Sequence, residues 1–285
     1  MSFARRLLLS CCLAAAPALA AGAQPLRLGA ELGAGYDSNL GNAGHAQDVR
    51  DSPFGAAALQ AEWTQDAGAY AALALRARAD GESYARLHTL DNLKGSLQLR
   101  GLLRPGGGFF VPTLSAWGSA ARWEFNSAMR DGYEYRAGAA LLEQVTTAIR
   151  LRLNAGWSRR DSESRVFDLH GGSVGAALDW SLAPRVSVFG GWQWYRGDVV
   201  STGKASYPSV SSSQAVEADD AFGGFGAGQF AYRLRGHAQL ATAGFNVALA
   251  RNLSLDVQQL YADSRAGADE HYVRSTCSAS LLLRF

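Results

Sequence analysis

The chain has 285 residues, with 27 lysines and arginines against 25 aspartates and glutamates and a formal net charge of +2. That balance leaves no basic footprint for nucleic acid, and three cysteines are too few for a disulfide-stapled scaffold. Past residue 23 no run approaches the ~18 consecutive apolar residues of a transmembrane helix.

The first residues set the compartment. Arg5 and Arg6 precede an apolar run over 7–16, and two A-x-A sites follow at Ala18-Leu19-Ala20 and Ala21-Gly22-Ala23. This is the layout of a cleavable secretory signal, too short to span a bilayer, with cleavage expected before Gln24. Leu8-Leu9-Ser10-Cys11 also fits a lipobox, though it leaves few apolar residues before the cysteine. Residues 1–23 carry two arginines and no acid, so 24–285 hold 25 charges of each sign. Cys11 and Cys12 leave with the signal, and Cys277 then has no partner for an internal disulfide.

From Leu26 onward period-2 patterns recur, the mark of strands with two unlike faces. The first sets Leu26, Leu28, Ala30, Leu32, Ala34 and Tyr36 against Arg27, Gly29, Glu31, Gly33 and Gly35. The second (54–63) carries Ala57, Leu59, Ala61 and Trp63 on one face. In the third (69–80) Leu73, Leu75, Ala77 and Ala79 oppose Arg76, Arg78 and Asp80. The fourth (91–103) places Leu93, Leu97, Leu99 and Leu103 against Lys94, Ser96, Gln98 and Arg100. A fifth (109–123) is rich in aromatics and ambiguous in phase. The sixth (132–142) alternates Tyr133, Tyr135, Ala137, Ala139 and Leu141 with Glu134 and Arg136; the seventh (147–158) sets Ile149, Leu151, Leu153, Ala155 and Trp157 against Arg150, Arg152 and Asn154. An eighth (169–180), ninth (186–195), tenth (233–249) and eleventh (253–263) follow. The twelfth (271–285) shows Val273, Cys277, Ala279, Leu281, Leu283 and Phe285 against Arg274, Thr276 and Ser278.

Each span is close to the 9–11 residues of a tilted transmembrane strand, and the count is even. Connectors after odd strands are longer and polar (37–53, 81–90, 124–131, 159–168, 196–232, 264–270), whereas those after even strands are tight. That asymmetry predicts an all-β fold: a transmembrane antiparallel up-and-down β-barrel of about 12 strands, filling 24–285, with both termini periplasmic. A hairpin hidden in 196–233 would make 14. Trp63, Trp180 and Phe285 are expected in one aromatic belt, and Tyr36, Trp157, Trp192, Trp194, Tyr261 and Tyr272 in the other. A soluble β-sandwich also alternates, but no packed interior tolerates so many charges on one face.

The tail 273–285, apolar at every second position and ending in Phe285, resembles the terminal signature strand of bacterial outer-membrane barrels. The resemblance implies a Gram-negative outer membrane, contact with its lipid and lipopolysaccharide, and an assembly signal at Leu281, Leu283 and Phe285 read by the barrel-assembly machinery. More narrowly, Gly33-Ala34-Gly35-Tyr36-Asp37-Ser38-Asn39 with Asn42-Ala43 resembles the barrel opening of surface-lipoprotein assembly modifiers. Those modifiers place a helical-repeat domain before the barrel, and no such repeat is read here.

The faces opposite the apolar ones are expected to line the lumen with Arg27, Glu31, Arg76, Arg78, Lys94, Arg100, Arg136, Arg150, Arg152 and Arg274. Charges in a low-dielectric pore act strongly on ions, so an excess of arginine favours anions. The same charges could instead cross-link neighbouring strands and plug a barrel of this size. All five histidines fall at loop-side positions without the i,i+2 spacing of a shared site, so no metal or cofactor is expected. No serine, histidine and acid show signature spacing for a lipid hydrolase, and no enzyme is expected. The expected function is a narrow channel for passive passage of small hydrophilic solutes; the alternatives are an export or assembly barrel and a plugged structural barrel. Segment 196–233, with a serine-rich and a glycine-rich half, is expected either to constrict the lumen or to lie outside as a mobile loop.

Overall fold

The computed structural model describes residues 26–223, 228–267 and 270–285. The signal segment expected at 1–23 lies outside them, as does part of the glycine-rich run after Phe222.

Thirteen strands form one sheet: β1 (Arg27–Asp37), β2 (Ser52–Asp66), β3 (Ala71–Tyr84), β4 (Asn92–Leu103), β5 (Thr113–Phe125), β6 (Gly132–Gln144), β7 (Ile149–Ser162), β8 (Leu169–Ala183), β9 (Val186–Lys204), β10 (Ala215–Ala218), β11 (Gln229–Ala248), β12 (Leu253–Ala266) and β13 (Glu270–Arg284). Every neighbouring pair is antiparallel, β9 pairs directly with β11, and β1 closes on β13 with Gly29 opposite Arg284 and Asp37 opposite Thr276. Twelve strands therefore make a closed barrel, and the four-residue β10 hangs on β11 outside it. Closure leaves no open edge, which hydrocarbon would penalise by several kcal/mol per unpaired group. No helix among the described residues is long and apolar enough to cross a membrane.

Alternation decides which face is which. Leu28, Leu32 and Tyr36 of β1, Leu73 and Leu75 of β3, Leu97 and Leu99 of β4, Leu153 and Trp157 of β7, and Leu281 of β13 stand exposed on the exterior. In water these side chains would drive aggregation; against acyl chains they are in their own solvent. One end of the barrel carries tight turns together with the start of β1 and the end of β13. There Gly68 takes φ +122°, a value few other residues adopt, and the Ala67 N–H meets the Ala71 carbonyl at 2.8 Å.

The opposite, loop end departs from expectation. The ninth and tenth strands, expected to stop at 195 and start at 233, run on to Lys204 and back to Gln229, and they stay paired throughout. Among the described residues the connector adds no further pair of wall strands. The three apolar clusters of buried side chains found among the described residues lie here and use this hairpin: Phe222 with Tyr84, Leu87 and Leu90; Tyr232 and Leu234 with Val199, Val210 and Ala266; Ala231 with Val166 and Phe167. The buried core sits over the mouth, while the lumen below is lined with polar groups.

Candidate functional site

Around the barrel, the β3–β4 loop stands diametrically opposite the β9–β11 hairpin. Phe222 nonetheless packs on that loop, and the Thr89 hydroxyl reaches the Ala221 carbonyl at 3.4 Å. The hairpin therefore crosses the mouth. On the way it takes up the β1–β2 loop, where the Thr202 N–H donates to the Gly41 carbonyl at 2.9 Å and the Asn42 amide to the Val200 carbonyl at 3.1 Å. Its strongest tie is ionic: Arg130, in the β5–β6 loop, grips the buried Asp219 through two bonds of 2.7 and 2.9 Å. Asp48 receives Tyr207 at 2.6 Å and Gln229 at 2.9 Å, and burial together with that bond pushes the Tyr207 phenol above its ordinary value.

The segment singled out around Asp37 is part of this scaffold. Asp37 is buried, accepts from the Asn39 N–H at 3.0 Å and pairs with Arg274. Asn39 clamps the Ala43 backbone through both ends of its amide, and Asn42 adopts a left-handed φ of 51° that an asparagine tolerates. These residues shape the loop that receives the hairpin.

Beneath the hairpin lies a cavity of about 820 Å³. Its roof includes Thr202 and Phe222, and its wall includes Trp117, Trp123 and Phe125 of β5, Arg136 of β6, Arg160 of β7, Tyr195 of β9, and Tyr272 and Arg274 of β13. The ambiguity of the fifth strand is thereby removed: Ser115, Trp117, Ser119 and Trp123 face inward, Leu114, Ala116, Gly118 and Ala120 outward. Tyr272, expected in an aromatic belt, is a correction; it is 7% exposed and points inward, because Val273 and not Tyr272 shares the phase of Leu281. Trp117 lies flat over Gly138, where a Cβ would come within 2.8 Å of the indole and 2.7 Å of the Ala155 carbonyl.

Nearer the turn end a second cavity, of about 250 Å³, is lined by Arg27, Glu62, Arg76, Gln98 and Arg100. Arg76 pairs with Glu62, and Arg78 bridges Glu31 at 3.1 Å and Asp80 at 3.7 Å. Lys94 and Arg136 share Glu134 at 3.4 and 2.7 Å. Arg150 sits opposite Asp179 and donates to Gln144 at 3.3 Å; Arg152 lies opposite Leu142 and Ala177, close enough to act on Arg100 electrostatically. Arg27, Arg100, Arg150 and Arg152 make no ion pair among the described residues. At the chain end Leu281 and Phe285 are exposed, Leu283 pairs with Ala30 in the register, and the Phe285 N–H donates to the Leu28 carbonyl at 2.9 Å.

Three of the histidines meet acids: His88 meets Asp91 at 3.5 Å, His170 meets Asp198 at 2.6 Å and His271 meets Asp263 at 3.3 Å. No group of three or more metal-ligating side chains occurs among the described residues.

No protein-family model matches the chain, and no curated protein sequence does. Solved structures do. An outer-membrane channel from Pseudomonas putida F1 superposes with a TM-score of 0.58 at 12% identity, covering 94% of this chain and 97% of that one. The fold shared with that channel is a closed antiparallel β-barrel. The NanC porin aligns with a TM-score of 0.49 at 7% identity, over 89% of this chain and 98% of that one. The translocator domain of the autotransporter NalP from Neisseria meningitidis aligns at 0.45 and 13%, over 99% and 94%. Likeness at these identities concerns architecture, and the use of this barrel is a question for its own lumen.

Reading the sequence strand by strand passed over Trp117, Trp123, Arg130 and Arg160. The serines at 115 and 119 share a phase with Trp117 and Trp123, and that was the available signal that the indoles face a polar interior. Arg130 and Arg160 lay within stretches read as loop, and nothing local marks their partners.

Proposed function

We propose that this barrel is a narrow channel for passive passage of small hydrophilic solutes, with anions favoured, and that it performs no catalysis. It sits in the outer membrane with the loop end outside and both termini in the periplasm. The observation that carries this reading is the set of four arginines without ion pairs, Arg27, Arg100, Arg150 and Arg152, in the turn-side half of the lumen. A structural plug gains most when opposite charges are matched, because an unpaired charge in a low-dielectric interior is costly. Here positive charge is left facing water-filled space, where it raises the local concentration of anions.

Arg150 and Arg152 stand two residues apart, ~7 Å along the wall at ~3.4 Å per residue. That is within a Debye length at physiological salt, so they act on a passing ion together. Arg150→Glu with Arg152→Glu is expected to move the reversal potential in planar bilayers towards cation selectivity, more at low salt than at high. If neither the wild-type barrel nor a variant lacking the hairpin carries current, the channel reading fails.

A plugged structural barrel is favoured by one observation, the hairpin across the mouth. The two readings part on whether current flows once the hairpin is removed.

A further inference from the structure

Glu134 stands among three lumen cations. Lys94 reaches it at 3.4 Å and Arg136 at 2.7 Å, while Arg160, its cross-strand neighbour on β7, makes no ion pair with it. Arg160 uses one terminal nitrogen on the Arg130 carbonyl at 2.7 Å, and its buried Nε has no hydrogen-bond partner. The next cation, Arg130, is already neutralised by Asp219, and the next acid, Asp131, is engaged by the Phe125 N–H at 2.6 Å. A guanidinium facing the cavity is thus left without an ion pair of its own. Buried charges ordinarily have partners.

The surrounding wall is aromatic. The Arg160 guanidinium carbon lies 5.2 Å from the Trp123 ring and 5.3 Å from that of Phe125, and the Lys94 ammonium stands 4.4 Å from the Trp123 ring. Trp123 and Phe125 stack with ring centroids 5.6 Å apart and planes 17° from parallel. We infer that the cavity under the hairpin is a binding site for a small organic anion carrying an aromatic or similarly flat apolar group, its carboxylate on Arg160 and its ring against the Trp117–Trp123–Phe125 wall. The volume of about 820 Å³ admits a molecule of this class with room for accompanying water. A carboxylate supplies the ion-pair partner that Arg160 lacks, and a flat apolar group covers rings that a purely hydrophilic solute would leave wet. Such a ligand combines both demands; inorganic anions and neutral aromatics each meet one.

The inference deepens the channel reading by naming a solute class, and its test is separable from that reading. Benzoate, acetate and benzyl alcohol are titrated by calorimetry into the full barrel folded in detergent, with conductance recorded on the same preparation. Benzoate is expected to bind saturably, at least about ten-fold tighter than acetate or benzyl alcohol. Arg160→Gln is expected to weaken benzoate about ten-fold or more, the usual scale for losing a charged hydrogen bond. Trp123→Leu should weaken benzoate while leaving acetate unchanged, a readout that loss of charge alone would not produce. Arg160→Lys keeps the charge and is expected to retain part of the affinity, which controls for a loosened β5–β6 loop. Resistance to dodecyl sulfate below boiling shows that each variant is folded. Undiminished benzoate affinity in folded Arg160→Gln, or benzyl alcohol binding as tightly as benzoate, overturns the site. Binding without conductance would leave the site standing and remove the channel; conductance without binding would do the reverse.

Discussion

At the scale of single residues, several polar side chains that look like a solvated rim do structural work at strand ends. Asp91, Asp131 and Asp168 each follow a short 3-10 turn and accept the N–H of a residue closing the preceding strand: Tyr84 at 2.7 Å, Phe125 at 2.6 Å and Ser162 at 2.7 Å. The repetition fits the chain's up-and-down path, because each loop must satisfy a donor that the ladder abandons when it turns. Asp131→Ala leaves the Phe125 N–H without its acceptor in a half-buried place, at a cost of about 1–3 kcal/mol. The temperature at which the folded band disappears in dodecyl sulfate should fall by several degrees, and Asp131→Asn, which keeps an acceptor, should recover part of it. An unchanged temperature for Asp131→Ala would show that water replaces the carboxylate.

Among elements, the β9–β11 hairpin separates this barrel from a plain tube. Its two arms remain paired as far as Lys204 opposite Gln229, so residues 205–228 can be replaced by Asn-Gly, a natural two-residue turn. The replacement removes Asp219, Asp220 and Phe222 together, and with them the grip of Arg130 and the apolar contact on Tyr84, Leu87 and Leu90. Conductance is expected to rise and closures to become rarer, with the twelve wall strands intact because their ladders lie below the cut. Breaking the grip from one side is harsher: Asp219→Ala leaves the buried Arg130 guanidinium with only the more exposed Asp220 at 3.2 Å, a loss approaching that of a broken buried pair, about 3–5 kcal/mol. Equal conductance before and after the replacement would place the constriction in the arginine-lined half of the lumen.

Over the whole molecule, stability comes from the closed ladder and the exterior, while the interior holds cavities lined by polar and aromatic side chains. The two ends contribute differently. Phe285 is 71% exposed and adds a single backbone bond to Leu28, so its removal costs the folded barrel little. If the terminal apolar face is an assembly signal, deleting Phe285 should lower the amount of barrel in the outer membrane several-fold, yet leave the dodecyl sulfate resistance of refolded protein unchanged. Deleting Gly107, in an open turn at the same end, is the matching control. Equal membrane levels for the two deletions would remove the signal role.

The alternation of β1, β3, β4 and β7 was legible in the sequence because side-chain direction in a strand is local. Lipid on one side and water on the other impose period 2 on each strand separately, and short turns opposite long loops give the up-and-down order. The twelve-strand barrel and its apolar exterior follow from that alone. β5 was not legible in phase because a lumen can hold aromatics as well as charges, so both of its faces read as apolar. The covered mouth was beyond reach for a different reason. It depends on Asn42 meeting Val200, Thr89 meeting Ala221 and Arg130 meeting Asp219, pairs about 90 to 160 positions apart that closure of the barrel brings together. The same closure leaves Arg160 beside Trp123 with no acid of its own, since the chain sets which residues face inward and only the curved wall sets which of them meet.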